Sequence, residues 1–429
     1  MNIAFHTLGC KLNFSETSFI SNDVQNNGFH EVAFNEFSDV YVINTCSVTE
    51  NANKECQYLV RKVQNINPNA KIIIMGCYAQ LKPEEIAQIS GVDLILGNNE
   101  KFKLKQYLTT IQKTDNPQII HKSINEINDF ESAFSFGDRT RSFLKIQDGC
   151  NYKCSFCTIP LARGKSRSDE IESIIKKIKK LKEDNVKEIV LTGVNVGDFQ
   201  TKDNKKLIDL LVEIDKIQDI RVRISSIEPN LITDDIIELI SNSKVLLPHF
   251  HIPLQSGSDI ILKKMQRRYL TKDYKVLIEK INRKIDNACI GVDVIVGFPG
   301  ETEALFNETL LFLKSLEITY LHVFTYSERE NTKAITITET IPLNIRKNRS
   351  KILRNLSDKK KNLFYQKNMG LIKEVLFENK ITNGYIYGFS KNYIKIKSVY
   401  QPTLKNTLKK VRINKIEHNN ITCAIGTLI

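Results

Sequence analysis

The sequence has no run of about 18 apolar residues that could span a bilayer, and Met1-Asn2-Ile3-Ala4-Phe5-His6 lacks the basic-then-apolar pattern of a secretory signal. A cytoplasmic protein without membrane contact is therefore expected. It also lacks low-complexity tracts and any repeat with a period of roughly 20–50 residues, which excludes solenoids and propellers. Acidic residues are in deficit, 49 Asp+Glu against 62 Lys+Arg, for a formal charge of +13. What is present is a chain of 429 residues, 41% apolar and 26% charged, long enough for two or three domains with their own cores. Nine cysteines, an odd number in a chain without an export signal, make a disulfide framework a poor explanation. Bound metal or thiol chemistry is the better one.

Up to residue 96, apolar runs at 3–8, 40–43, 72–75 and 94–96 alternate with helical stretches at 16–26, 53–64 and 83–89. This alternation predicts βαβ units and an N-terminal parallel-sheet α/β domain over residues 1–110. Residues 111–138, polar and weakly periodic, read as a linker. A second series predicts strands at 143–147, 188–191, 222–225, 249–253, 292–296 and 321–324, separated by amphipathic stretches of helical length. That is a partial, TIM-like (β/α)6 barrel over 139–345, with functional residues expected where its strands end. Residues 346–373 read as a basic helical connector. Residues 374–429 alternate β-formers with polar residues, carry Asn383-Gly384 and Asn419-Asn420 turn signals, and predict a small all-β barrel. The basic character is local: residues 346–429 hold 19 Lys+Arg against 4 Asp+Glu, leaving the remainder near neutral at −2. Cations with Tyr385, Tyr387, Phe389 and Tyr393 suit an RNA-binding appendage, although such rings also fill barrel cores.

Cys150, Cys154 and Cys157 form C-x3-C-x2-C after the first barrel strand. Three thiolates from one loop suit a 4Fe-4S cube with one iron left open. Zinc and plain buried thiols are the competing readings; zinc wants four protein ligands, and no further Cys or His lies within about twenty residues on either side. Cys10, Cys46 and Cys77 each follow a predicted strand directly, and in a parallel sheet those strand ends share one edge. Three thiols converging there suggest a second cluster site; ordinary buried cysteines are the alternative. Cys56, Cys289 and Cys423 fit neither set and read as structural.

The C-x3-C-x2-C motif, with Phe156 before its last cysteine, resembles the radical S-adenosylmethionine (SAM) enzymes, and the three strand-end cysteines make the whole chain resemble their methylthiotransferase family. Thr7-Leu8-Gly9-Cys10-Lys11, Asn44-Thr45-Cys46-Ser47-Val48-Thr49, Gly76-Cys77-Tyr78-Ala79-Gln80 and His322-Val323-Phe324-Thr325-Tyr326-Ser327 are most similar to the MtaB type. The resemblance implies an N-terminal methylthiotransferase domain, a radical SAM barrel and a C-terminal TRAM-like barrel. It further implies two 4Fe-4S clusters, on Cys150, Cys154 and Cys157 and on Cys10, Cys46 and Cys77. SAM bound at the first would yield a 5′-deoxyadenosyl radical, and the second would furnish sulfur for a methylthio group placed on C2 of N6-threonylcarbamoyladenosine at tRNA position 37. The implied partners are the tRNA anticodon stem-loop, an electron donor such as flavodoxin or ferredoxin, and a sulfur source.

Phe156, Gly193, Ser226, Glu228, Gln255 and Arg268 are the candidate SAM contacts; each could equally be an ordinary turn or barrel-rim group. Gly297-Phe298-Pro299-Gly300-Glu301 reads either as a loop shaping the adenine end of the pocket or as a tight turn with Glu301 starting a helix. The cations of Ala162-Arg163-Gly164-Lys165-Ser166-Arg167 read as phosphate contacts or as solvated surface charge. Related alternatives are modification of isopentenyladenosine in tRNA or of a ribosomal-protein aspartate. Lys11-Leu12-Asn13 after Cys10 argues against the first, since the isopentenyladenosine enzymes usually carry Gln-Met-Asn there. The basic tail argues against the second, because it would repel a basic target. A non-catalytic iron-sulfur RNA-binding protein is the alternative from another class.

Overall fold

The computed structural model describes residues 1–46, 50–136, 140–417 and 423–428. Ser47-Val48-Thr49 of the second cysteine motif, the Asn419-Asn420 turn and the expected boundary at 138/139 lie outside the described residues. Strands β1 (Asn2–Thr7), β2 (His30–Val32), β3 (Val40–Thr45), β4 (Lys71–Gly76), β5 (Leu94–Leu96) and β6 (Gln118–Ile120) form one parallel sheet in the order β2-β1-β3-β4-β5-β6. Both faces are covered, which is why β3 and β4 read as continuous apolar runs rather than as alternation. Tyr41, Ile43, Ile72 and Ile74 pack with Val60 and Val63 on one face. Val40, Val42, Ile73 and Met75 pack with Ile20, Val24 and Leu104 on the other.

The barrel is built from β7 (Ala133–Phe134), β8 (Arg141–Lys145), β9 (Gln147–Asp148), β10 (Arg167–Ser168), β11 (Glu188–Thr192), β12 (Arg221–Ile224), β13 (His249–His251), β14 (Cys289–Val296) and β15 (Tyr320–Thr325). Its six principal strands run parallel in two pieces, β8-β11-β12 and β13-β14-β15. Parallel bridges Val222–Leu246 and Ser226–His251 join the two pieces. Helices such as Ile171–Glu183 and Thr271–Lys284 cover the outside, burying Ile174, Ile178, Leu277 and Ile281 in the core they share with the strands.

The stretch 111–138, expected as a linker, instead contributes to both sheets. Ile119 on β6 pairs with Ile95, and Phe134 on β7 pairs antiparallel with Leu144. Strands of three and two residues are too short to carry a periodic signal, and main-chain pairing sets them.

The expected basic connector is a helix, Leu343–Lys367, and part of its charge is structural rather than free. Arg346 and Arg349 are 3% and 4% exposed. Arg346 donates to Tyr326 O at 3.0 Å and to Glu328 Oε1 at 2.5 Å, and Arg349 Nη1 to Glu301 Oε2 at 2.8 Å. Gly297 has φ +75°, and a Cβ there would sit 2.3 Å from Arg346, so this glycine lets the loop close under the helix. Glu301 does not start the following helix: Thr302 is its N-cap, accepting from Leu305 N.

Beyond it, β16 (Ile372–Thr382), β17 (Tyr385–Ser390), β18 (Lys395–Val399), β19 (Leu408–Glu417) and β20 (Cys423–Leu428) close a barrel in the order β16-β17-β18-β20-β19. It docks on the larger (β/α) barrel through ion pairs Arg141–Glu378 at 2.7 Å and Arg221–Glu374 at 3.2 Å. Among the described residues no helix is long and apolar enough to cross a membrane.

Candidate active site

β1, β3 and β4 are neighbours, so the residues after them share the C-terminal edge of the sheet, and Cys10, Cys46 and Cys77 stand there. Cys46 and Cys77 are buried and Cys10 is exposed. A Cβ on Gly9, whose φ is +95°, would lie 2.8 Å from Cys46 Sγ, so the first and second cysteine loops are in direct contact. Asn98 Nδ2 donates to Cys77 Sγ at 3.6 Å. Although Cys10 is exposed as a whole residue, desolvation at its sulfur raises the thiol against the opposing pull of Arg163.

Cys150, Cys154 and Cys157 follow β9 in a loop where all three are half-buried. Desolvation pushes Cys150 up to about 11 and Cys157 to about 12, so loading metal here releases protons. Two donors aim at sulfur: Tyr152 N–H at 3.4 Å from Cys150 Sγ and Arg267 Nη1 at 3.0 Å from Cys154 Sγ. Such donors suit thiolate ligands. Among the described residues, His251, Asp293 and His322 form a group whose ligand atoms all lie within 4.8 Å of one another. Three thiols in one loop with N–H donors at two of the sulfurs are a donor set for an iron-sulfur cluster, and the sequence around the loop offers no nearby fourth Cys or His to complete a zinc site.

A cavity of about 750 Å³ opens where the first sheet, the barrel and the C-terminal barrel meet; of the six candidate cluster cysteines Cys10 alone lines it, and of the candidate SAM contacts Gly193 and Ser226. Its wall includes Cys10 and Lys11 from the first sheet, Gly193, Ser226, His251 and Asp293 from the barrel, and Phe389, Tyr393 and Lys395 from the C-terminal barrel. Ser226 Oγ lies 2.5 Å from His251 Nδ1, and His251 Nε2 lies 2.9 Å from Asp293 Oδ1, a chain of polar groups along the wall. Gly193 has a steric reason at its strand end, because a Cβ would meet Gln147 Oε1 at 2.8 Å.

Of the other sequence candidates, Phe156 packs edge-on against Phe298 with centroids 6.4 Å apart. Glu228 pairs with Arg267, and burial raises its carboxyl despite that partner. Gln255 holds a left-handed turn, φ +70°, bridged to Val294. Arg268 is exposed, stacked 3.9 Å over the Tyr152 ring. Arg268 also donates to Asn151 O at 3.3 Å, but its neighbour Arg267, not singled out from sequence, is the one that reaches a sulfur of the 150–157 loop, Cys154 Sγ; an Arg-Arg pair gives no local signal of which turns inward. His251 and Asp293 were equally invisible, being ordinary strand residues until the barrel brings β13 beside β14. Arg163 is neither a phosphate contact nor solvated: it is 2% exposed and paired with Glu16 and Asp148.

Residues 144–313 match the radical SAM superfamily and residues 2–97 match the uncharacterized protein family UPF0004. A threonylcarbamoyladenosine tRNA methylthiotransferase MtaB of Aquifex aeolicus is 38% identical over 92% of this chain and 96% of its own. That of Bacillus subtilis is 37% identical over 96% and 94%. A tRNA-2-methylthio-N(6)-dimethylallyladenosine synthase of Clostridium tetani is 35% identical over 88% and 85%. Among solved structures, the radical SAM methyltransferase TsrM of Kitasatospora setae, with cobalamin and a [4Fe-4S] cluster, superposes with a TM-score of 0.55 at 12% identity, covering 78% of this chain and 74% of its own. That last likeness is one of fold.

Proposed function

The chain belongs to the MtaB-type methylthiotransferases of the radical SAM superfamily, and from that premise we propose that it adds a methylthio group to C2 of N6-threonylcarbamoyladenosine at tRNA position 37. It is a transferase that uses SAM and 4Fe-4S clusters, and its substrate is tRNA. The isopentenyladenosine and ribosomal-protein readings are not favoured, nor is a non-catalytic role.

The observations that support the site assignment are the two cysteine triads at strand ends and a cavity walled by all three parts of the chain, with Cys10 at one side and Tyr393 of the C-terminal barrel at another. In this reading Cys150, Cys154 and Cys157 hold the cluster that binds SAM, and Cys10, Cys46 and Cys77 hold the second. When loaded, the clusters and SAM supply the one-electron and sulfur chemistry that an unactivated C2–H requires and that side-chain acids and bases do not provide. The chain's own contribution is placement: Arg267 and Glu228 brace the Cys154 side, while Gly193 and Ser226 line the space left for SAM and adenine.

The anticodon stem-loop is the portion of tRNA that would enter. The exposed β19 cations Lys409, Lys410, Arg412 and Lys415 are placed to meet phosphate. A one-electron donor of the flavodoxin or ferredoxin class and a separate sulfur source complete the scheme. Nucleoside mass spectrometry of tRNA from cells with and without the gene tests it. The methylthio derivative of threonylcarbamoyladenosine should vanish on deletion; its persistence in cells without a second such enzyme rejects the reading.

A further inference from the structure

Glu16, Lys101, Lys145, Asp148 and Arg163 form one ion network between the N-terminal sheet and the barrel, and none of them is more than 4% exposed. Arg163 Nη1 donates to Glu16 Oε1 at 3.0 Å and to Asp148 Oδ1 at 2.9 Å. Its Nη2 donates to Glu16 Oε2 at 3.0 Å and to Asn13 Oδ1 at 2.7 Å. Lys101 reaches Glu16 at 2.7 Å, and Lys145 reaches Glu16 at 2.8 Å and Asp148 at 2.9 Å.

The amide side chains of Asn13 and Asn98 and the carboxylate of Asp148 extend this network to every cysteine loop. Asn13 Nδ2 donates to Leu8 O and Thr45 O, both at 3.0 Å, just before Cys10 and Cys46. Lys101 donates to Asn98 Oδ1 at 2.9 Å, and Asn98 Nδ2 contacts Cys77 Sγ at 3.6 Å and Ala162 O at 2.7 Å. On the other side, Gly149 N, next to Cys150, donates to Asp148 Oδ1 at 2.9 Å.

The charges do not balance. Three buried cations face two carboxylates, and Arg167 adds a fourth cation to Asp148 from the rim at 2.9 Å. An unmatched buried charge is strongly destabilising, so the surplus needs an anion nearby. Three thiolates around a four-iron core carry net negative charge, and it grows by one on reduction. We infer that Arg163, with Lys101, is the built-in countercharge of the cluster on Cys10, Cys46 and Cys77, favouring its one-electron reduction and fixing its position relative to the SAM-cluster loop. This rests on the assignment of those three cysteines made above. Arg163 is thus a positioning residue, acting on the cluster without ligating it.

The test uses the full chain with Cys150, Cys154 and Cys157 changed to Ala, reconstituted with iron and sulfide, so that one cluster gives the signal. Its midpoint is measured by electron paramagnetic resonance during titration with dithionite, which supplies the electron. At the poise that half-reduces this parent, Arg163→Met should lower the reduced-to-oxidised ratio roughly tenfold, the effect of one cation about 10 Å away at intermediate dielectric. Arg163→Lys, which keeps the charge but not the fork, should restore most of it. An unchanged ratio in Arg163→Met at full iron content overturns the inference. If Arg163→Met does not take up iron, Lys101→Met decides in the same way, with the same expected fall. A parent that binds no iron overturns instead the assignment of the cysteines.

Discussion

Arg267 bridges two proposed partners of the SAM site: its Nη1 lies 3.0 Å from Cys154 Sγ, and its Nη2 pairs with Glu228. Tyr269 fixes the guanidinium from a third side at 3.1 Å from Nε. The arginine therefore cannot follow the sulfur unless Glu228 moves as well, and it holds the ligand loop against the barrel rim.

Arg267→Gln removes a charge-assisted hydrogen bond worth about 1.5–3 kcal/mol while leaving the cysteines in place. The rate of 5′-deoxyadenosine formation by dithionite-reduced, reconstituted protein should fall roughly 10- to 100-fold, with iron content close to wild type. Chromatographic quantitation of 5′-deoxyadenosine, alongside iron analysis, checks this. An unchanged rate would remove Arg267 from the site.

Two separate clusters set a stoichiometry. Reconstituted protein should hold about eight irons per chain, and replacing Cys10, Cys46 and Cys77 by Ala should leave about four. Cys56, buried and pushed up to about 12 by desolvation, should contribute nothing, so Cys56→Ala should keep all of the iron. Colorimetric iron and sulfide assays read each number directly.

The architecture was legible where periodicity is strong. All six barrel strands and the three cysteine-bearing strand ends of the first sheet lie where the alternation of apolar runs placed them. What escaped was long-range pairing of charges. Glu16 and Arg163 are 147 residues apart in sequence, and each alone reads as an ordinary surface ion. The same blindness made Arg346 and Arg349 look like RNA-facing cations, although the fold spends them on Glu328 and Glu301. Tyr393 reads in sequence as a barrel-core or stacking ring; its left-handed backbone, φ +64°, belongs to the turn between β17 and β18, where its N–H donates to Ser390 O at 3.0 Å, but its place beneath Arg223, 4.6 Å from the ring centroid, depends on docking between the two barrels.

Glu188 sits at that docking seam, wholly buried between Arg141 at 2.6 Å and Arg223 at 3.2 Å. Burial alone would raise its carboxyl, but these arginines hold it near 2 instead of 4.5. With the folded value depressed, its stabilisation is complete above the unfolded value and is lost as pH falls from about 4.5 toward 2. Glu188→Gln should cost about 3–5 kcal/mol near neutral pH by leaving arginines unpaired. The gap in unfolding midpoint between wild type and Glu188→Gln should narrow steadily on acidification, measured by circular dichroism from pH 6 to about pH 3. A gap independent of pH would show that the carboxylate charge is not what holds the seam.

The exposed cations that remain on the C-terminal barrel give a sharper test of RNA binding than a deletion, because removing the helix from Arg346 onward would also unlock the Gly297–Glu301 loop. Lys409, Lys410 and Arg412 are all exposed on β19. Each phosphate contact releases roughly one counterion, so changing all three to Gln should reduce the slope of log affinity against log salt by as much as about 3 and weaken tRNA binding most at low salt. The side chains lie outside the cavity wall, so 5′-deoxyadenosine formation without RNA should stay within about twofold of wild type. Filter binding across a salt series gives the slope. An unchanged slope would move the RNA footprint off β19 and onto the cavity wall, where Lys11, Lys361 and Lys395 join the buried Arg223 as cations.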